Sequence, residues 1–452
     1  MMSLRIPSFH RSLARSVAWL AVFSTPLSAQ VTALSLGDAA RLAARRNGAI
    51  DVAQTRVAQA EARALQRRAA LFPDIAAGVQ QGSRTINTAT FGFAFRDASG
   101  RPLLRPDGEI IGPVPTLDLR YRLTQPLVDF AGIARWRSAQ SGTNAAVAEV
   151  NAQAENAAAG ALTSYVRAMR ADAQVAARTA DSALAADLLR IARDQLTAGV
   201  GIALDVTRAQ SQLASTRAQL IASRNEHDRA MLELKRIVGL AYDAPLMLTD
   251  SLVGLPVEGA LPDEEAALSA AFDRRADVRA LLAQENAQRH AVSAIRWERT
   301  PQFGLVVDHG VIGRNWDRLL PTYSWGVQLS VGVFDGFRRA NRLQEQAAGL
   351  REVTARLRDL RAQSALEVRS ALLDFASARE QLDAARERLR LAEQEVSQAR
   401  ERFRAGVAGN ADVITALLSL NQGRTLRNDA LAAYQSARVS LARATGAVQQ
   451  LP

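Results

Sequence analysis

The sequence predicts a mainly α chain with a small β part: long α-helical coiled-coil hairpins written twice, with four strands that keep one face apolar. Three observations lead there. Blocks of residues recur at fixed offsets of 207 and 228. Two stretches, Phe130 to Ala198 and Phe337 to Arg404, run without a proline. Four short segments alternate apolar and polar residues with period two, the signature of strands exposed on one side.

The first 29 residues read as a secretion signal. Arg5, Arg11 and Arg15 make a basic start, Ser16 to Phe23 is a short apolar run, and Leu27-Ser28-Ala29 offers a cleavage site before Gln30. The apolar run is too short to cross a hydrocarbon core of ~30 Å. Cysteine is absent, which removes disulfides, cysteine-held metals and an N-terminal lipid anchor on cysteine. No later segment has the length and apolarity of a membrane helix, so any membrane contact must come from strands.

The duplication organises the rest. Ala192-Arg193, Ala198-Gly199-Val200 and Asp205-Val206 recur as Ala399-Arg400, Ala405-Gly406-Val407 and Asp412-Val413, and the register continues to Gly239 and Gly446. Asn47 to Asp51 and Pro73 match Arg275 to Arg279 and Pro301; Asp129 matches Asp335. The change of offset comes from a Gly/Pro-rich loop, Thr85 to Thr116, whose counterpart is only Arg314 to Thr322. This gives a first copy over 30–240, an irregular connector over 241–261 containing Pro245 and Pro256, and a second copy over 262–452.

Within each copy the order is helix, strand, loop, strand, very long helix, tight turn, helix. Ser35 to Leu71 and Pro262 to Arg299 read as single helices. The strands are expected at about 73–84, 117–128, 302–313 and 323–334. Leu117, Leu119, Tyr121 and Leu123 form one apolar face, and Tyr323, Trp325, Val327, Leu329 and Val331 another. Ile75, Ala77 and Val79, then Phe303, Leu305 and Val307, supply weaker partners. No further strands are expected to cover them, and two isolated hairpins are marginal in water. Four strands cannot close a membrane barrel, since single-chain barrels start at about eight. Two chains would give eight strands and three would give twelve; periodicity leaves both open.

The long helices, about 130–198 and 337–404, would each extend ~100 Å and need partners throughout. The returning helices, about 204–240 and 411–446, supply them. Val368, Phe375, Leu382, Leu389, Val396 and Phe403 stand seven apart, with Ala371, Ala378, Ala385, Ala392 and Ala399 three further on. That is a coiled-coil seam with close backbone approach. His227 occupies the seam position matched by Tyr434, so it reads as a packing residue and not a metal ligand.

Charge and chemistry exclude other classes. The net charge of +11 falls to +8 once the three leader arginines are subtracted, and the arginines alternate with acids along helix faces, as in Arg386-Glu387-Arg388. Nucleic acid is therefore not an expected partner. After the leader only His227, His290 and His309 remain, in separate segments. No glycine-rich phosphate loop or Ser/His/Asp set is present, so neither enzyme activity nor a cofactor or metal is expected.

The duplicated order, the strand motifs Leu123-Thr124-Gln125-Pro126-Leu127-Val128-Asp129 and Leu329-Ser330-Val331-Gly332-Val333-Phe334-Asp335-Gly336, and two turn motifs together resemble the TolC-like outer-membrane efflux family. The turns are Leu196-x-x-Gly199-Val200-x-x-x-x-Asp205-Val206 and Phe403-x-x-Gly406-Val407-x-x-x-x-Asp412-Val413. The resemblance covers the whole mature chain. It implies a homotrimer, hence a 12-stranded barrel in outer-membrane lipid continuing into a helical periplasmic tunnel. It also implies a periplasmic adaptor docked on the tip turns, at Ala198, Gly199 and Val200 with Ala405, Gly406 and Val407. The adaptor would link the duct to an inner-membrane efflux pump or ABC exporter. The family's tunnel entrance often carries acidic rings, and by position Asp412, Asp205 and Phe403 are gate candidates. Asp205 and Asp412 also suit helix starts after a glycine turn. Where relatives carry a tethering tyrosine, arginine and second acid, this chain has Phe403, Ala408 and Thr415. The competing reading is a periplasmic adaptor or coiled-coil scaffold; adaptors, however, carry one helical hairpin and several small β domains. The transported substrate is not written in the sequence.

Overall fold

A computed structural model describes residues 32–91, 96–102, 105, 107–257, 261–405, 407 and 409–451. The expected secretion signal lies outside the described residues. The first part of the chain builds β1 (Thr32–Leu34), α1 (Leu36–Arg46), α2 (Gly48–Ala69), β2 (Asp74–Asn87), β3 (Ile110–Val128), α3 (Phe130–Thr197) and α4 (Ala203–Val238). The rest builds β4 (Leu246–Leu248), α5 (Glu264–Arg274), α6 (Ala276–Trp297), β5 (Gln302–Gly313), β6 (Leu319–Ser330), α7 (Arg338–Arg404) and α8 (Asn410–Ala444).

α3 and α7 are unbroken over 68 and 67 residues, so each spans ~100 Å. The seam positions from Val368 to Phe403, and the alanines from Ala371 to Ala392, are buried. His227 is half-buried, with Nδ1 3.2 Å from Asp228, its neighbour in sequence. Away from the sheet α4 packs on α3, α3 on α8, and α8 on α7; near the sheet the order is α2, α3, α6, α7. α3 thus joins the two halves along its whole length.

Several boundaries differ from expectation. The helices expected over Ser35 to Leu71 and Pro262 to Arg299 are each broken, at Asn47 and at Arg275, where the backbone turns extended (ψ 132° and 126°). Asn47 caps α2 through Oδ1 to Ala49 N at 3.0 Å, and its Nδ2 donates to Ile237 O at 3.1 Å. The guanidinium of Arg275 is buried against Asp277 at 2.7 Å and Glu367 at 2.5 Å. Each break receives the end of a returning helix, where Gly239 and Gly446 turn left-handed at φ +72°. A Cβ on Gly239 would lie 2.7 Å from Arg46 O, and one on Gly446 2.9 Å from Arg275 N. The helix axes bend where these ends press against them.

The connector is not wholly irregular, and the expected absence of further strands is also corrected. β4 pairs in parallel with β1, and the connector is stitched to the helices by two buried tyrosines. Tyr165 on α3 donates to Leu34 O at 2.8 Å, and Tyr434 on α8 to Val257 O at 2.6 Å. Asp250 Oδ2, 3.1 Å from the Tyr165 hydroxyl, also accepts from Leu36 N at 2.7 Å.

The other strands form one antiparallel sheet in the order β2-β3-β5-β6. β2 and β3 extend into the expected 85–116 loop. β6 begins earlier than expected and stops at Ser330 rather than running to Phe334. There Arg339 Nη2 draws Gly332 O away at 2.6 Å, while Arg339 N and Nε bind Asp335 at 3.0 and 2.9 Å. The register aligns Ile75, Leu123, Val307 and Trp325 across all four strands, and likewise Ala77, Tyr121, His309 and Tyr323. Directly opposed residues share a face, so the apolar positions read from sequence lie on one side. His309 joins them, its ring 5.3 Å from that of Tyr121.

Candidate functional site

Three regions of this frame bear on function: the hairpin tips far from the sheet, the polar face of the sheet, and the wall between them. At the first tip Ala198 stays helical and Gly199 turns left-handed at φ +76°. Val200 N and Gly201 N then both donate to Gln195 O at 3.0 Å. A Cβ on Gly199 would meet no atom within 4 Å, whereas one on Gly201 would press on Leu196 N at 2.9 Å. Sequence reading selected Gly199 for its backbone and missed Gly201, whose role is close packing. The second tip repeats the geometry at the same offset, with Ala405 helical and Val407 N donating to Arg402 O at 3.0 Å. Gly406 and Ala408 lie outside the described residues. Val200 and Val407 are 80% and 67% exposed, so each tip ends in an uncovered valine.

The gate candidates fall in different settings. Neither Asp205 nor Asp412 is a helix cap; the caps are Ile202 and Gly409, and both carboxylates stand third in their helices. There they face the positive end of the helix dipole. Asp205 is half-buried, with Arg208 3.9 Å away, and Asp412 is exposed. Phe403 is buried among Leu188, Val413 and Leu417, in the seam between the hairpins.

The tips are tied by contacts that no motif announced. Asn410 Nδ2 donates to Asp205 O at 2.8 Å, Gln195 Nε2 donates to Phe403 O at 3.3 Å, and Arg400 pairs with Asp187 at 2.5 Å. Asn410 is fully buried, and its Oδ1 has no hydrogen-bond partner among the described residues. Arg190, then Arg400, hold the Asp187 carboxyl below the usual carboxylate range. The available signal for Asn410 was a polar residue two positions before the repeat resumes at Asp412, too weak to choose.

At the other end the polar face of the sheet carries Arg122 paired with Asp308 at 2.7 Å and Arg120 with Asp118 at 2.6 Å. This face runs on into the helical wall. Gln302 Nε2 reaches Asp129 at 3.3 Å, Asp129 pairs with Arg135 at 3.1 Å, and Arg135 and Arg342 converge on Glu298 at 3.7 and 2.9 Å. A groove of about 490 Å³ opens there between α2, α3, α6 and α7, lined also by Arg63 and Arg67. Four adjacent helices can converge on one groove only from the concave side of their layer. Among the described residues no three His, Asp or Glu side chains cluster as metal ligands, and no helix is long and apolar enough to cross a membrane.

A sheet apolar on one side and charged on the other, with its charged side continued by a concave wall of ~100 Å helices, is a segment of a membrane duct. The chain belongs to the outer membrane efflux protein family, matching it over residues 39–240 and 267–447. Members of this family are outer-membrane channels. Alkaline protease secretion protein AprF of Pseudomonas aeruginosa is 26% identical over 342 residues, covering 72% of this chain and 66% of AprF. The chain thus spans just under two thirds of that relative's length. Among solved structures, the outer-membrane channel OprN superposes with a TM-score of 0.75 at 19% identity, covering 92% of this chain and 91% of its own. The CmeC outer membrane channel of Campylobacter jejuni also gives 0.75, at 17% identity, covering 91% of this chain and 85% of its own.

Proposed function

We propose that three copies of this chain form a passive outer-membrane duct, opened when an adaptor docks at the periplasmic tips and fed by an inner-membrane pump. The observation that carries this reading is the four-stranded sheet. Its edge strands β2 and β6 carry no further strand among the described residues, and its apolar face is exposed. Three such sheets joined edge to edge give twelve strands and leave no open edge. α7 at one flank of the wall, and α2 and α4 at the other, would then meet between neighbours. Leu366 and Leu373 on α7, and Ile221 on α4, are exposed large apolar residues available for that contact. The chain performs no chemistry in this scheme.

In this reading residues 1–29 are removed on export, the protein is not a lipoprotein, and 30–240 and 262–452 act as two repeats around the 241–261 connector. The loop between β2 and β3 lies outside the cell. The pump is a tripartite efflux pump or an ABC exporter of a type I secretion system. Likeness to a protein named for protease secretion supports the second.

The tip turns are the docking site. Val200 and Val407 are uncovered, and Ala198, Gly199 and Ala405 keep the turns slim enough for an adaptor helix to approach; Gly406 is assigned to the same site by its place in the repeat. Changing Val200 and Val407 together to aspartate is expected to abolish copurification with the adaptor and leave the trimer intact. Full copurification of that variant would refute the assignment. Asp412, with Asp205 behind it, forms an acidic ring around the closed mouth, and Phe403 anchors the helix that carries it. Like charges at close range repel each other and attract cations. Asp412→Asn is therefore expected to lower the cation preference of single channels in planar bilayers, read as a shift in reversal potential under a salt gradient. An unchanged potential would remove the ring.

A further inference from the structure

Of the arginines on the inward side near the sheet, Arg135, Arg339 and Arg342 each pair with a carboxylate, while Arg63 and Arg67 line the groove together with Glu298 and Glu345. A second set points the other way. At ~100° per residue, Arg137 lies about 160° around α3 from Arg135. By the same count Arg296 lies about 160° around α6 from Glu298, and Arg68 about 140° around α2 from Arg63. Both Glu298 and Arg63 line the concave groove, so these three arginines stand on the convex side. All three are exposed. On α2 the nearest acid on the same side as Arg68 is Glu61, seven residues and about two turns further from the sheet. Arg68 and Arg296 are 228 residues apart, the offset that relates Pro73 to Pro301, so each repeat supplies one at the same place.

Exposed aromatic rings accompany them. Phe72 lies under the Arg68 guanidinium at 5.7 Å, and Phe130 stacks with Trp297 at 5.8 Å. Aromatic rings at the rim of an apolar band mark the membrane–water boundary. Arg68 and Arg296 sit in the last turn before the sheet. Arg137 is two turns below it, with its Cα–Cβ bond tilted toward the N-terminus of α3, which is the sheet side. Arg68 and Arg296 thus stand at the depth of the headgroup layer, roughly 5–8 Å thick on each side of the hydrocarbon, and Arg137, its Cα about 11 Å below the sheet, reaches that layer through its long side chain.

We infer that Arg68, Arg137 and Arg296 form a collar that binds the phosphates of anionic phospholipids in the periplasmic leaflet, beneath the ring formed by Phe72, Phe130 and Trp297. Guanidinium groups suit bidentate phosphate contacts, and the aromatic rings set their height. The collar lies on the outer surface and takes no part in conduction. It rests on the reading that the apolar face of the sheet lies in the outer membrane.

The test uses the full-length assembly in mild detergent, titrated with phosphatidylglycerol, phosphatidylcholine or lipopolysaccharide and read by native mass spectrometry and melting temperature. Phosphatidylglycerol is expected to bind in preference to phosphatidylcholine and to raise the melting temperature. Each single Arg→Gln change should weaken it about fivefold at low salt. The triple variant R68Q/R137Q/R296Q should lose the preference, and the corresponding triple lysine variant should keep most of it. Equal binding of phosphatidylglycerol and phosphatidylcholine, a preference unchanged in the glutamine variants, or selectivity for lipopolysaccharide alone would overturn the collar. If the triple glutamine variant does not assemble, R137Q alone decides, since Arg137 forms no part of a helix end. Recovery of the wild-type chain outside the outer membrane would instead overturn the membrane reading, which fractionation detects separately.

Discussion

Replacing Gly446 by valine is expected to cost the assembly about 3 kcal/mol or more and to cut its recovery from the outer membrane sharply. Two effects add. The residue turns left-handed at φ +72°, a conformation that costs an L-residue roughly 1–2 kcal/mol and a β-branched one at least that. Its Cβ would also lie 2.9 Å from Arg274 C and Arg275 N, which are backbone atoms and cannot swing aside. Overpacking of this kind costs roughly 1–3 kcal/mol. Gly239→Val should behave alike, because its Cβ would meet Arg46 O at 2.7 Å. The control is Gly199→Val, which shares the positive φ but has open space around it. Melting temperatures of the three purified variants separate the terms. If Gly199→Val is destabilised as much as Gly446→Val, the packing at the two helix breaks contributes nothing.

The same breaks show where sequence stopped being informative. The seam from Val368 to Phe403 repeats over five heptads, so the rods and their packing face were legible without a structure. The strand faces were legible because Tyr323 to Leu329 alternate cleanly with Ser324, Gly326 and Gln328. Nothing local marks a break at Arg275: Arg274-Arg275-Ala276 is a good helix-forming run. The chain bends there because Gly446, 171 positions away, presses on it, and a distant contact overrides propensity. β1 and β4 were missed for a related reason. Three residues carry no periodicity, and their partners lie 214 positions apart. Val331 and Val333 continue the strand pattern, yet Arg339 takes the Gly332 carbonyl and ends β6 early.

At the tip the split is similar. Gly199 and Val200 were found because a glycine turn between two heptad seams is a local signal that occurs twice. The tie from Asn410 to the Asp205 carbonyl was not found, since it joins two hairpins that sequence places 205 residues apart. Asp205 and Asp412 were read as possible caps because acids favour helix starts. The structure puts both at the third position, where the dipole still favours them but the side chain does not close the helix.

Arg424→Met is expected to destabilise the contact between α3 and α8 by up to about 3 kcal/mol at neutral pH, since it takes the nearer of two arginine partners from a buried carboxylate and stranding such a charge completely costs roughly 3–5 kcal/mol. Asp181 on α3 has a side chain only 1% exposed, paired with Arg424 at 2.7 Å and Arg178 at 3.3 Å. The Asn421 amide, with its nitrogen turned inward, adds a donor at 2.8 Å. Burial raises the Asp181 pKa above 3.8, and Arg424 followed by Arg178 pulls it back. A carboxylate whose folded pKa is raised binds its proton more tightly in the folded state. Its penalty is therefore full above the folded pKa and vanishes below the unfolded value near 3.8. Removing Arg424 deletes the largest opposing influence and raises that pKa further. The variant's deficit should accordingly be greatest at neutral and alkaline pH and shrink as pH falls toward 4, in melting curves taken beside the wild type. Asp181→Asn combined with Arg424→Met removes the stranded charge, so the double variant should recover most of the loss and show little of this pH dependence. A deficit that stays constant with pH, or a double variant no better than Arg424→Met alone, would show that the pair acts through packing and not through charge.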